Sequence, residues 1–308
     1  MRKILALALI LAMLPAAALA GTPVHICEGD ETAAALAEMI RGETSVWENE
    51  AEALDKAVEQ PDTAALVTQQ ALILGLQGYS EAEVKTDIRL LMPLCADDLY
   101  LVCSEETADA CGVRDLPSLV GYLAENPSEL MIMRCFEASV TDYAATEVFE
   151  AAEFGSDTFA DSADCEENLE TDAFVLVAYT EQALRLDAEG YVVLGALTAE
   201  RTEEYPDLPC AGECGLPVCT GRVWGLYAAA EGDPSAFDRE VIRKTMTEDR
   251  LAELHCRPVD EKDFQLEKEI SDYIDYMTAK GSSSMNSKRQ CRKNAPPGGG
   301  AFCIVPDQ

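Results

Sequence analysis

The chain has 308 residues, 57 acidic against 23 basic, for a formal charge of −34, with 48% hydrophobic and only 6% aromatic residues. So acidic a surface repels nucleic acid and anionic lipid, and so few aromatics leave little to stack sugars or bases. Twelve cysteines are many for an ordinary enzyme; in an exported chain they read as disulfides of undetermined connectivity, in a reducing host as buried thiols.

Arg2 and Lys3 head an uncharged apolar run from Ile4 to Leu14, and Ala18-Leu19-Ala20 precede Gly21. A positive head, an apolar middle and a small-x-small exit mark a secretory signal peptide over residues 1–20, cut near Ala20. The run is shorter than the roughly 20 residues a spanning helix needs. The next cysteine, Cys27, lies seven residues past Ala20, too far to carry a lipid at the cut. The expected product is soluble and periplasmic or secreted. It keeps 288 residues (308 minus 20), and with Arg2 and Lys3 gone its charge is −36. That length suits two domains.

Val24 to Cys27 reads as a strand, Glu28 to Thr32 as a turn, and Thr32 as the cap of a helix over Ala33 to Arg41. Ser45 to Trp47 is a second strand, and Glu50 to Glu59 a helix stopped by Pro61. The run Ala64-Ala65-Leu66-Val67 has the look of a buried parallel strand. Strands follow at Ile88 to Leu94 and Leu99 to Cys103, then a helix capped by Asp115 and ended by Asn126-Pro127. A second alternation begins with a strand over Leu130 to Met133 and a helix from Thr141 to Ala152, capped by Ser139 or Thr141. Phe174 to Ala178 is a buried strand, with Thr180 capping a helix to Leu186, and Tyr191 to Leu197 and Val223 to Ala229 are strands. Helices are expected from Pro234 to Glu248 and from Glu261 to Met277. From Lys280 a polar, basic tail over 280–308 reads as disordered. Strands alternating with helices mean an α/β fold with largely parallel sheets.

Two stretches carry a resemblance. One runs from Asp87-Ile88-Arg89-Leu90-Leu91-Met92-Pro93-Leu94 through Leu99-Tyr100-Leu101-Val102 and Asp115-Leu116-Pro117-Ser118-Leu119 to Ala124-Glu125-Asn126-Pro127. The other runs from Leu194-Gly195-Ala196-Leu197-Thr198-Ala199-Glu200-Arg201 through Tyr205-Pro206-Asp207-Leu208-Pro209 and Gly215-Leu216-Pro217 to Trp224-Gly225-Leu226-Tyr227-Ala228. Their order resembles the substrate-binding proteins of tripartite tricarboxylate transporters, although Gly212 and Cys214 break the usual spelling. The resemblance implies a two-lobed periplasmic binding protein type II fold with the hinge crossed twice. Lobe 1 would hold 21–101 and 201–279, and lobe 2 would hold 102–200. It also implies a small carboxylate ligand in the interlobe cleft, held by helix N-termini, and delivery to membrane transporter subunits by a monomer.

The family's glycine-rich first loop is here Glu28-Gly29-Asp30-Glu31-Thr32, leaving Gly29 and Thr32 as candidate ligand contacts. A second glycine-rich stretch is replaced by Glu48-Asn49-Glu50-Ala51-Glu52. Acids at the mouth oppose an anion, so they point outward, or the ligand is neutral or cationic, or binding has decayed. Thr68 and Gln69 stand at the family's Thr/Ser-rich ligand loop. Arg134, Ser139 and Thr141 occupy the matching loop of the second lobe, and Thr180 follows a strand whose end faces the ligand in the family. The sequence holds no G-x-S-x-G, H-E-x-x-H, phosphate loop or dinucleotide fingerprint. Cys210, Cys214 and Cys219 lack zinc-ribbon spacing, and a disulfide involving one of them is the expected reading. A Cys–His pair is open to His25 with Cys27 and to His255 with Cys256. The expectation is a receptor rather than an enzyme, with no cofactor and no metal.

Overall fold

The computed structural model describes residues 23–135, 139–152, 154, 157–160, 169, 174–232, 237–259, 261–262 and 264–279. The leader at 1–20, the tail at 280–308 and Pro234 lie outside them.

The first lobe begins with β1 (Pro23–Cys27), α1 (Glu31–Met39), β2 (Glu43–Trp47), α2 (Glu50–Glu59) and β3 (Ala64–Thr68). β1 lies parallel to both β2 and β3. Every residue of β3 is buried, because helices cover both faces of the sheet. Strand alternation divides its side chains between them. Ala64 and Leu66 pack with Ala33, Leu36 and Ala37 of α1, while Ala65 and Val67 pack with Ala53, Leu54 and Ala57 of α2. α3 (Gln70–Leu76) follows at once, so the apolar run continues as helix rather than strand.

β4 (Ile88–Asp97) ends this sheet's first pass, and after Asp98 the chain enters the second sheet as β5 (Leu99–Cys103). The second lobe continues with α4 (Glu105–Cys111), α5 (Leu116–Glu125), β6 (Met131–Cys135), α6 (Val140–Ala151), β7 (Asp157–Ala160), β8 (Phe174–Tyr179), α7 (Thr180–Ala188) and β9 (Val192–Ala196). Its sheet runs β7-β6-β8-β5-β9, with β6 and β8 parallel. The chain returns through 197–221, which carries α8 (Ala211–Cys214) packed on the second-lobe core by Ala211 and Leu216. β10 (Arg222–Ala229), α9 (Arg239–Thr245), α10 (Glu248–Ala252), β11 (Arg257–Pro258) and α11 (Leu266–Ala279) complete the first lobe. The first sheet is ordered β11-β4-β10-β3-β1-β2. The expected α/β, two-lobed architecture is therefore present, and the chain passes between the sheets twice. Gly221 makes the second passage possible: its φ is +86, and a Cβ there would strike the Asp97 carbonyl.

Several local readings change. Asp30, not Thr32, caps α1, its carboxylate accepting from the Ala33 N–H at 2.8 Å. Position decides this: Asp30 stands just before the first turn, where its carboxylate reaches an orphan N–H, whereas Thr32 already lies inside the helix. Tyr179 is the N-cap residue of α7, and Thr180 is its first helical residue. The long helix expected up to Glu248 is two, with Asp238 capping α9 and an extended Thr247 opening α10. Phe264 is core and precedes α11 rather than starting it. Ser139 caps α6 and Asp115 caps α5, the latter in a reciprocal capping box with Ser118.

The eight cysteines with described side chains, including Cys210, Cys214 and Cys219, are all free thiols, so the expected disulfides are absent among them. Cys95, Cys103, Cys210 and Cys256 are buried and serve as small apolar side chains. The side chains of Cys135, Cys165, Cys291 and Cys303 lie outside the described residues.

Candidate functional site

Strand direction places the site. The carboxyl ends of β1 and β3 and the amino end of β10 face the carboxyl ends of β6 and β8, the edge at which open α/β sheets bind ligands. α2 and α3 start on the first-lobe side of this cleft, α6 and α7 on the second-lobe side. The lobes also touch beside it: Ile73 of α3 and Tyr273 of α11 join the second-lobe core, where Tyr273 meets Tyr143 edge-on at 5.2 Å.

Arg222 is the cation at the centre. It stands opposite Asp97 across β4 and β10, and its Nη2 donates to Asp97 Oδ2 at 2.7 Å. The guanidinium lies between the rings of Tyr179, at 4.2 Å, and Trp224, at 4.5 Å. Asp97 accepts the Thr180 N–H at 3.0 Å with its other oxygen, joining the start of α7 to the first lobe. Trp224 Nε1 donates to Asp30 Oδ2 at 3.0 Å. Burial pushes the Tyr179 hydroxyl up to about 12, although Arg222 pulls it the other way. Burial likewise works to lower the Arg222 pKa, but Asp97, Tyr179 and Asp30 together outweigh it and the guanidinium stays above its ordinary range.

The structure brings six of the eight sequence candidates to this region in definite roles. Thr68 donates its backbone N–H and its hydroxyl to Glu50 Oε1, both at 2.8 Å, and the hydroxyl also lies 3.0 Å from Oε2. Gln69 is clasped to β10, its Nε2 donating to the Gly221 carbonyl at 2.5 Å and its Oε1 accepting the Val223 N–H at 2.6 Å. Both ends of that amide are therefore spent on backbone. Thr180 donates its hydroxyl to the Asp98 carbonyl at 3.3 Å. Ser139 accepts the Asp142 N–H at 3.0 Å, and its hydroxyl lies 2.9 Å from that of Thr141. Thr141 also bonds Tyr179. Gly29, at φ +76, makes the turn that lets Asp30 reach Trp224. Thr32 is half-buried in the first turn of α1. Arg134 belongs to β6, but its side chain lies outside the described residues. Across the cleft, the Val140 N–H at the start of α6 donates to Gln70 Oε1 at 3.2 Å.

Sequence reasoning missed Arg222, Asp97 and Tyr179. A cation opening an otherwise apolar buried strand was the available signal, because such a charge demands a partner. Neither Cys–His pair forms. Trp47 donates to His25 Nδ1 at 3.0 Å and Nε2 faces Thr63 Oγ1 at 3.0 Å, so both ring nitrogens are used. Burial, reinforced by the charges of Glu50 and Asp30, pushes the Cys27 thiol up to about 11, the opposite of an activated nucleophile. Cys256 is buried in the first-lobe core, and His255 instead faces Glu204 at 3.9 Å. Among the described residues no three His, Cys, Asp or Glu side chains converge as metal ligands, and no helix is long and apolar enough to cross a membrane. A separate cavity of about 680 Å³ lies beside the Asp98–Arg257 ion pair, between 198–204 and 252–258.

No protein-family model matches the sequence, and no curated protein is similar to it. Solved structures are. A TctC solute-binding protein from Polaromonas superposes with a TM-score of 0.63 at 14% identity, over 82% of this chain and 96% of that one. The periplasmic binding protein BugD matches at 0.59 and 13% identity, over 85% and 97%. MatC from Rhodopseudomonas palustris, with bound malate, matches at 0.56 and 15% identity, over 83% and 98%, and another R. palustris protein, with adipate, at 0.58 and 16%, over 85% and 97%. At these identities the likeness establishes the fold: the two-lobed architecture of TctC- and Bug-type periplasmic receptors, as the sequence resemblance implies.

Proposed function

We propose that the chain is an extracytoplasmic solute-binding receptor that captures a small carboxylate-bearing metabolite between its lobes and delivers it to a tripartite tricarboxylate-type transporter. The observation that carries this reading is the convergence of the α6 and α7 N-termini on the Arg222 centre, in a fold two of whose solved neighbours hold malate and adipate. Helix N-termini leave N–H donors without intrahelical partners, and the helix dipole there is positive. The proposed contacts are Gly29, Thr32, Thr68, Gln69, Arg134, Ser139, Thr141 and Thr180, with Arg222 added. The leader and the fold together favour a periplasmic protein that binds without catalysis.

A second reading has one observation in its favour. Gln69, Thr68 and Thr180 already spend their donors on the protein itself, as a cleft that has left transport for a sensory or protein-interaction role would. A thermal-shift screen of the purified protein against di- and tricarboxylates, amino acids and polyamines separates the two. A rise in Tm with one class supports the receptor; no shift with any small solute counts against it.

A further inference from the structure

Of the acids at the mouth of the first lobe, Glu28, Glu31 and Glu48 are exposed and Glu52 is half-buried beside Asp55 and Lys56, but Asp30 and Glu50 turn inward. Glu50 reaches from the first turn of α2 to the end of β3 and takes both donors of Thr68. These are donors that the sequence resemblance assigns to a ligand carboxylate, so a carboxylate of the protein's own already sits on them. Burial holds the Glu50 carboxyl above its ordinary range, and Asp30 adds to that, while the Thr68 bonds and Arg222 act against it. Among the described side chains the cation at the centre is Arg222, whose Nη2 is paired with Asp97 while its buried Nε has no partner, leaving a donor for a ligand carboxylate. Among the described side chains, the carboxylates of Asp30, Glu50 and Asp97 thus face the Arg222 guanidinium across the first-lobe side of the cleft.

A dicarboxylate entering here would have to displace Glu50 or lie against a like charge. An ammonium group would meet a preformed counter-ion, because a carboxylate holding two Thr68 donors still has lone pairs to offer. Resting on the receptor reading, we propose that the ligand bears a cationic amine which pairs with Glu50, so that the cleft selects amino acids over dicarboxylates, and that Glu50 sets this choice. Rejection of the wrong charge is then part of the design, as much as attraction of the right one.

Titration calorimetry on the full chain tests it with probes of matched skeleton: aspartate and γ-aminobutyrate against succinate, with malate, adipate and putrescine alongside. The expected result is binding of at least one amino acid at least tenfold tighter than succinate. In Glu50→Gln that ratio should fall to within about threefold, mainly through lost amine affinity. Glutamine keeps an oxygen to accept from Thr68, so the variant is expected to melt within a few degrees of the parent. The preference of the unaltered chain decides the question even if the variant fails to fold. Dicarboxylates binding as tightly as the amino acids, or a ratio unchanged in a folded Glu50→Gln, overturns the proposal while leaving a receptor. Failure of every probe to bind overturns both.

Discussion

The two walls of the cleft are made from the same devices and present different chemistry. Each brings helix starts and strand ends to the gap. On the second-lobe wall Ser139 and Thr141 offer hydroxyls around the start of α6, beside Tyr179. On the first-lobe wall the equivalent places hold Asp30 and Glu50, and the loop after β3 is clasped by its own side chains. The fold therefore constrains where donors stand and leaves the charge of each wall free to change. One joint between the walls, beside the Ile73 and Tyr273 contacts, is the Asp97 carboxylate, which holds Arg222 on one side and Thr180 on the other.

Breaking that joint should have the largest effect. Asp97→Ala leaves the Arg222 guanidinium without its ion partner and the Thr180 N–H without its acceptor. A loss of about 3 kcal/mol is expected, read as a lower urea midpoint. An unchanged midpoint would mean that the Ile73 and Tyr273 contacts hold the walls without it. Gly221→Ala should cost somewhat less, about 2 kcal/mol, because the new Cβ meets the Asp97 carbonyl from a left-handed backbone. The walls themselves can then be compared. Ser139→Ala removes the α6 cap for about 1 kcal/mol. Glu50→Gln, which keeps its acceptor, should cost less while changing ligand choice more. Equal effects of the two on affinity would erase the difference between walls.

The smallest effect is a pH dependence that belongs to the first lobe alone. Burial, helped by Lys56, holds the buried His25 ring below its ordinary value of 6.5. The unfolded chain takes up a proton as pH falls through about 6.5, but the native ring resists it until lower pH. Stability should therefore drop as pH falls below that point. Comparing urea midpoints at about pH 7.5 and 5.5 should show a shallower drop in His25→Gln than in the parent; parallel curves would remove His25 from this account.

Much of the fold was legible because it rests on local rules. Ala64 to Val67 reads as a buried strand in any context, and Asp115 and Ser139 are caps wherever a helix starts after them. Where two local choices competed, the reading slipped: Thr32 was as good a cap on paper as Asp30. The cysteines misled for a related reason. Their number points to cross-links, but whether two thiols bond depends on packing, and here even Cys95 and Cys256, which meet in the first-lobe core, stay free thiols.

The sequence alone determined the leader-like start, the α/β alternation, the acidic surface and the family-like order of elements, since each follows from composition or from neighbours along the chain. Only the tertiary structure decided which acids face inward. Glu48 and Glu50 are two residues apart, yet one is exposed and the other lies on Thr68, 18 positions away. Arg222 and Asp97, 125 positions apart, become a pair because β4 and β10 run antiparallel in one register. Electrostatic partners are set by distance in space, and chain order does not supply that distance.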